Sequence, residues 1–373
     1  MKILLLSAYH AASHERWAAG LMANFPDCQW TCLSLPPRHF NWRIRGNSLT
    51  WALKERETLS QHYDLVLATS MVDLSALRGF IPSLACIPTL LYFHENQFAY
   101  PASKQQFTSV EPQILSIYSA FCADRLLFNS EFNRRTFFSG ARDLFKKLPD
   151  GVSPTDLDSL EAHSDVLSVP LEDKCYRASV ASKVNTETTI ELIWNHRWEY
   201  DKSPDRLLLA LEKLPELPIT VHVVGQQFRR QPEAFEKIEA LLRRRGQLGS
   251  WGYVESESAY RELLCRCHGV ISTALHDFQG LAVMEAVASG CIPVVPRRQA
   301  YPEWFGLDFC YASYPEDANK EAEALAARIE ALVEGVLQGR RGPAPDMGVF
   351  RWQSLSEAYR QQFELVYHSA RIL

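Results

Sequence analysis

No apolar run in the chain approaches the ~20 residues needed to cross a bilayer, so no membrane span is expected. The opening Met-Lys-Ile-Leu-Leu-Leu reaches polar Ser7 too soon for a signal-peptide core and suits a first buried strand. The loop after it has no glycine run: His10, Ser13 and His14 stand there, which removes the dinucleotide fingerprint. Charge of either sign is not in large excess. The net value of −5 demands no polyanionic partner for the chain as a whole. The nine cysteines are odd in number and follow no regular framework, which argues against a disulfide scaffold and suits reduced thiols in a cytoplasm. Cys265, Cys267 and His268 fall on an amphipathic helical stretch with no second ligand pair, so buried thiols are expected there and a metal is not.

What is present is an ordinary globular composition, 47% hydrophobic and 22% charged, over 373 residues, enough for about two domains. Residues 1–150 carry a balance of +3 and the remainder −8, so any nucleic-acid footprint belongs on the first half. Strands are expected at 2–8, 29–35, 64–69, 89–93 and 125–129, with helices through about residue 24 and at 47–61, 72–80 and 111–122. After the Asp150-Gly151 turn signal the apolar period lapses until Thr188. A second series then alternates strands at 189–195, 219–224, 251–254 and 269–273 with helices at 203–213, 232–245 and 256–267, followed by a helix at 320–337. The fold class is therefore α/β, with a first domain at 1–152, a connection at 153–187 and a second domain at 188–345. In the last segment, 346–373, a helix from about Ser354 to Ala370 carries aromatic residues at 359, 363 and 367 and is expected to pack back on the first domain.

The stretch Ser272–Val295 carries the strongest functional signal. A helix is expected to open near Gly280 and Leu281 and to stop at Gly290, with its first free amides available to a phosphate. Asp277 and Glu285 place two carboxylates beside that anion site, suited to sugar and ribose hydroxyls; the pattern equally fits a plain helix with Glu285 solvated. Arg197 and Lys202 follow the strand ending at Trp194 and fit a diphosphate, although pairing with Glu199, Asp201 or Asp205 is the competing account. His94, Glu95, Asn96 and Gln97 follow the strand Thr89–Phe93 among Tyr92, Phe93, Phe98 and Tyr100, as a cleft wall would. Gly225, Gln226, Tyr253 and Val254 sit at strand ends where backbone edges and an aromatic can cradle a purine. Asp156 and Asp158 form an Asp-x-Asp in a polar stretch with no adjacent strand, and chance explains the pair better than a divalent site.

Arg197 with Lys202, and Asp277 with Glu285 ahead of Gly290-Cys291-Ile292-Pro293, resemble the GT-B glycosyltransferases of retaining family 4. That resemblance implies two Rossmann-like doubly wound domains facing across a cleft. It also implies an Arg/Lys pair on the donor diphosphate and two acids on the transferred sugar and the ribose. Asp277 replaces a usual Glu, Gln279 a usual Phe, and Ala11-Ala12-Ser13 a glycine loop. FHENQFAYP (93–101), FNSEFN (128–133), WNHRWEYDKSP (194–204), STALHDFQGLAVMEAVASGC (272–291) and YPE (301–303) are together similar to the tRNA-queuosine α-mannosyltransferase family.

Membership would imply transfer of mannose from GDP-mannose to queuosine at the wobble position of tRNA-Asp. Asp277, His94, Arg197 and Lys202 would carry the chemistry, with no metal cofactor. For a tRNA acceptor, Arg38, Trp42, Arg43 and Arg45 combine charge and stacking surface with His39 and Phe40, and His10, His14, Glu95, Asn96 and Gln97 are assigned to the same side. Arg134, Arg135, Lys146 and Lys147 would extend that patch. A lipid, small-molecule or polysaccharide acceptor, and a non-catalytic tRNA- or nucleotide-binding role, stay open on sequence alone, though no basic amphipathic first-half helix favours a membrane acceptor.

Overall fold

The computed structural model describes residues 1–99, 110–148, 153–176, 189–340 and 342–369. Tyr100, the Asp150-Gly151 turn, the later part of the expected connection and the helix end at Ala370 lie outside them. The chain divides into two compact units, Met1–Pro170 with Trp352–Leu373, and Leu171–Arg351.

In the first unit, β1 (Lys2–Ser7), α1 (Ala12–Asn24), β2 (Gln29–Ser34), α2 (Phe40–Lys54), α3 (Arg56–Leu59), β3 (Leu65–Thr69) and α4 (Leu74–Phe80) are followed by β4 (Thr89–Phe93), α5 (Glu111–Phe121), β5 (Arg125–Phe128), α6 (Glu131–Phe145), α7 (Asp158–Ala162) and β6 (Ser164–Val166). The strands form one parallel sheet in the order β2-β1-β3-β4-β5-β6. Ile3 to Leu6 are fully buried, as a strand covered on both faces requires.

Part of the expected connection belongs to this sheet. β6 pairs with β5 in register Leu126↔Ser164, and Leu157 of the preceding turn is fully buried. A three-residue strand and a five-residue helix are too short to leave an apolar period. Helix α6 lies where no helix was expected, its buried Phe137, Phe138, Ala141 and Phe145 separated by charged residues.

The second unit runs β7 (Ile190–Trp194), α8 (Pro204–Lys213), β8 (Ile219–Val224), α9 (Ala234–Arg244), β9 (Leu248–Gly252), α10 (Glu257–Arg266), β10 (Gly269–Ile271), α11 (Leu281–Ala288), β11 (Ile292–Pro296), α12 (Tyr301–Phe305), β12 (Cys310–Tyr311) and α13 (Ala318–Leu337). Its parallel order is β12-β11-β10-β7-β8-β9. The chain leaves β7 toward β8 and returns on the other side at β10, so the ends of β7 and β10 mark a topological switch point, where ligands of such sheets bind.

The last helix, α14 (Trp352–Ser369), packs within the first unit. Trp17 donates its indole N–H to Tyr359 Oη at 3.0 Å, and Phe25 meets Phe363 edge-on at 5.4 Å. The aromatic spacing of four residues is what makes that stripe. Among the described residues, no helix is long and apolar enough to cross a membrane.

Candidate active site

The segments after β7 and β10 converge on one buried ammonium. Lys202 Nζ donates to the His276 carbonyl at 2.6 Å and lies 3.2 Å from Asp201 Oδ2 and 3.4 Å from Asp277 Oδ2. The turn that carries Lys202 ends at Ser203, a non-glycine residue at φ 48°, a strained conformation of the kind that functional turns retain. Thr273 Oγ1 donates to the Lys202 carbonyl at 2.7 Å and accepts from the Trp194 indole at 2.9 Å, fixing the two loops to each other. The competing account of the cations is thus present in part: Lys202 does contact Asp201, and exposed Arg197 pairs with Glu199 at 3.1 Å.

Gly280 caps α11 at φ 76°, and its N–H donates to Asp277 Oδ1 at 3.0 Å. A Cβ there would meet Tyr301 Cε1 at 2.7 Å, so the missing side chain makes room for a buried ring and not for a ligand. The amides after Gly280, beginning at Leu281, are those a helix start leaves without intrahelical partners. Glu285, one turn in, is 6% exposed, and its charge interacts with Arg261 of α10. Gly225 closes β8 with its N–H on the Gly252 carbonyl at 3.1 Å; beyond these strand ends Gln226 and Tyr253 are exposed and Val254 is half-buried.

Burial pushes the Asp277 carboxyl up, but the Lys202 ammonium, His196, His276 and the Tyr301 hydroxyl outweigh it and hold the group below its ordinary value. Burial would lower Lys202; Asp277 and Asp201 reverse this and keep it charged. His196 is pushed down to about 4, by burial first and Lys202 second. A neutral histidine, a charged lysine and an ionised aspartate therefore share one strand-end site at neutral pH.

An ion triad supports it from below. Glu321, 1% exposed at its side chain, lies 2.6 Å from Arg298 Nη1 and 2.9 Å from Arg206 Nε, while Arg298 also donates to the carbonyls of Ala274 at 2.8 Å and Thr273 at 3.2 Å. Sequence reading missed this triad, whose members are 92 to 115 residues apart or 23 residues apart with no common motif. Removing one member strands buried charge, so Glu321→Gln is expected to cost about 3–5 kcal/mol, read as a lower urea midpoint.

In the first unit, His94 packs its ring against His14 at 4.1 Å, Tyr92 at 4.6 Å and Trp17 at 4.7 Å. His94 Nε2 and His14 Nδ1 are buried without hydrogen-bond partners. Burial depresses both, His14 to about 4, so both are neutral at pH 7. His10 bonds Ser7 Oγ at 2.9 Å. Glu95 and Gln97 are half-buried in the same loop.

Two acceptor expectations are corrected. Asn96 is 1% exposed and spends its amide on Asn133, Thr136 and the N–H groups of Phe98 and Ala99, so it shapes the loop and does not face a ligand. Arg43 is 7% exposed because α2 begins at Phe40, not at 47, which turns 43, 44, 47, 48 and 51 inward. Arg45 is tied to Glu111 at 2.7 Å and Asp73 at 3.3 Å. Arg38 is exposed, and Trp42, 55% exposed, lays its ring on Gly46, where a Cβ would meet it at 2.2 Å. Arg134 pairs with Glu131 and Glu161, and Lys146 with Asp143.

Neither metal candidate is built for an ion. Asp156 accepts from the Ser153 N–H at 3.2 Å and Asp158 pairs with Arg142 at 2.7 Å. Among the described residues, Glu191, His222 and Cys267 bring ligand-type atoms within 4.8 Å of one another. However, His222 Nδ1 accepts from the Ser250 N–H at 2.8 Å, which assigns the proton of the neutral ring to Nε2, and Arg266 already pairs with Glu191 at 2.6 Å.

Comparison with known proteins agrees with this arrangement. Residues 2–171 match the family described as tRNA-queuosine alpha-mannosyltransferase N-terminal, and residues 178–339 match glycosyl transferases group 1. The tRNA-queuosine alpha-mannosyltransferase of Drosophila melanogaster is 31% identical over 319 residues, 83% of this chain and 83% of that protein. Among solved structures, the sucrose-phosphate synthase of Thermosynechococcus elongatus superposes with a TM-score of 0.67 at 12% identity, covering 99% of this chain and 100% of the other. HepE of Anabaena in complex with UDP gives 0.63 at 14% identity, covering 98% and 100%. Both carry the GT-B fold class that the two six-stranded parallel sheets display.

Proposed function

We propose, from the premise that this chain belongs to the tRNA-queuosine alpha-mannosyltransferase family, that it moves mannose from GDP-mannose onto queuosine at the wobble position of tRNA-Asp. The chain is a glycosyltransferase, and its second unit matches the group 1 enzymes. One observation carries the donor reading: Lys202, Asp277 and the start of α11 form a single bonded cluster at the strand ends of the switch point.

On this reading Arg197, Lys202 and the amides after Gly280 stabilise the charge that grows on the departing diphosphate. Lys202 Nζ already has three contacts, so a diphosphate oxygen must replace one of them. If the phosphate displaces Asp277, that carboxylate becomes available to hydroxyls of the sugar. Glu285 takes the ribose, and Gln226, Tyr253 and Val254 border the base. Retention through an oxocarbenium-like state is what the resemblance to the retaining family implies for this transfer.

The first unit supplies the acceptor side, with neutral His94 for the incoming hydroxyl and Trp42 with Arg38 as stacking and phosphate contacts. No divalent ion takes part, since two cations and a helix start answer the diphosphate charge. A donor panel of GDP-mannose and UDP-sugars, run in excess chelator, tests both statements. GDP-mannose is expected to be consumed at the same rate with and without chelator. A strict requirement for added divalent ion, or preference for a UDP-sugar, would overturn the corresponding part.

A further inference from the structure

Asp277 is held from behind by a buried line of polar groups. Tyr301, which opens α12 and is 1% exposed, places Oη 3.2 Å from Asp277 Oδ2. Ser272 Oγ, fully buried just after β10, lies 2.8 Å from Tyr301 Oη, and His196 Nε2 lies 2.9 Å from Ser272 Oγ. Hydrogen-bond arithmetic assigns the direction of donation. An ionised carboxylate only accepts, so Tyr301 donates to Asp277. The phenol has no second hydrogen, so Ser272 donates to Tyr301. Ser272 then accepts from His196, whose proton is thereby assigned to Nε2. The same ring fills the space under Gly280, whose N–H holds the other carboxylate oxygen.

We propose that Tyr301 is a positioning residue for Asp277, and that the His196–Ser272–Tyr301 relay sets the direction in which the carboxylate is offered to the hydroxyls of the transferred sugar. This rests on the donor-site reading of Asp277. The groups that act on the carboxylate are Lys202 from the segment before α8, His196 from the end of β7, His276 from its own loop and Tyr301 from α12. Asp201 also faces it across Lys202. Tyr301 and the Gly280 N–H bond it with fixed geometry, since a phenol on a packed ring and a backbone amide have little freedom to move.

Tyr301→Phe keeps the ring against Gly280 and removes only Oη. Its kcat with GDP-mannose and queuosine-containing tRNA is expected to fall about 10- to 100-fold, the value of one hydrogen bond to a charged group. The KM for GDP-mannose should move by less than about threefold, because the diphosphate contacts are untouched. The acidic limb of the kcat profile should shift to higher pH, since a donor that favours the ionised carboxylate has been lost. Ser272→Ala breaks the relay one step further back and should move both readouts the same way by less; it decides the matter if Tyr301→Phe does not fold. A folded variant with wild-type kcat and an unmoved acidic limb overturns the proposal. Asp277→Asn separates the two levels: if it retains wild-type turnover the donor-site reading itself fails, whereas an inactive Asp277→Asn beside an unaffected Tyr301→Phe sinks the relay alone.

Discussion

Asp277→Ala is expected to lower sugar transfer by about a thousandfold while leaving a folded protein, because under the proposed mechanism it removes the charged group offered to the reacting sugar. The residue has three partners: the Gly280 N–H at 3.0 Å, Tyr301 Oη at 3.2 Å and Lys202 Nζ at 3.4 Å. Loss of the Gly280 contact should cost stability on the order of 2 kcal/mol, as a hydrogen bond to a charged group does, which unfolding measurements can separate from the kinetic effect. Asp277→Glu tests the geometry more finely. The extra methylene must be accommodated beside a ring that already fills the space under Gly280. It is expected to fold and to recover only part of the rate. A wild-type rate in Asp277→Ala would remove this residue from the chemistry.

Acidification is expected to destabilise the fold well above the pH at which ordinary carboxylates titrate. His196 and His222 are 3% and 2% exposed, and burial pushes each down to about 4. In the unfolded chain these rings take up a proton near 6.5, so between about pH 6.5 and 4 the unfolded state binds more protons than the folded one. Stability is therefore full above that window and is lost as pH falls through it, by roughly 3 kcal/mol for each of the two rings. His14 and His94 act in the same direction. Urea midpoints measured at about pH 7.5 and about pH 4.5 check this, with a much lower value expected in acid. Equal midpoints would mean that these rings are not buried as neutral groups.

The strands were legible because both faces of a parallel sheet are covered, so β1, β3 and β4 appear as nearly continuous apolar runs. Helix α6 was not, because Arg134, Arg135, Arg142 and Asp143 interrupt its buried positions. The error at Arg43 came from the start of α2: with the helix placed from 47, Arg38, Arg43 and Arg45 all lay outside it, whereas helical phase from Phe40 buries Arg43. Lys202 and Asp277 could be read from spacing because each follows a strand. Tyr301, Ser272 and Arg298 could not, since their roles depend on contacts across 23 to 29 residues that periodicity does not encode. The FNSEFN motif was visible as a signature, but its physical role appears only in three dimensions. Asn129 donates to the His94 carbonyl at 2.8 Å and Asn133 to the Phe93 carbonyl at 2.9 Å, which holds the loop carrying His94 in place.

The most direct test is the mass of the wobble nucleoside. Queuosine-containing and queuosine-free tRNA-Asp are incubated with the protein and GDP-mannose, digested to nucleosides and weighed. The expected result is one added hexose on queuosine, no addition to queuosine-free tRNA, and none with Asp277→Ala. Addition independent of queuosine, or no addition by a folded wild-type protein, would contradict the assignment.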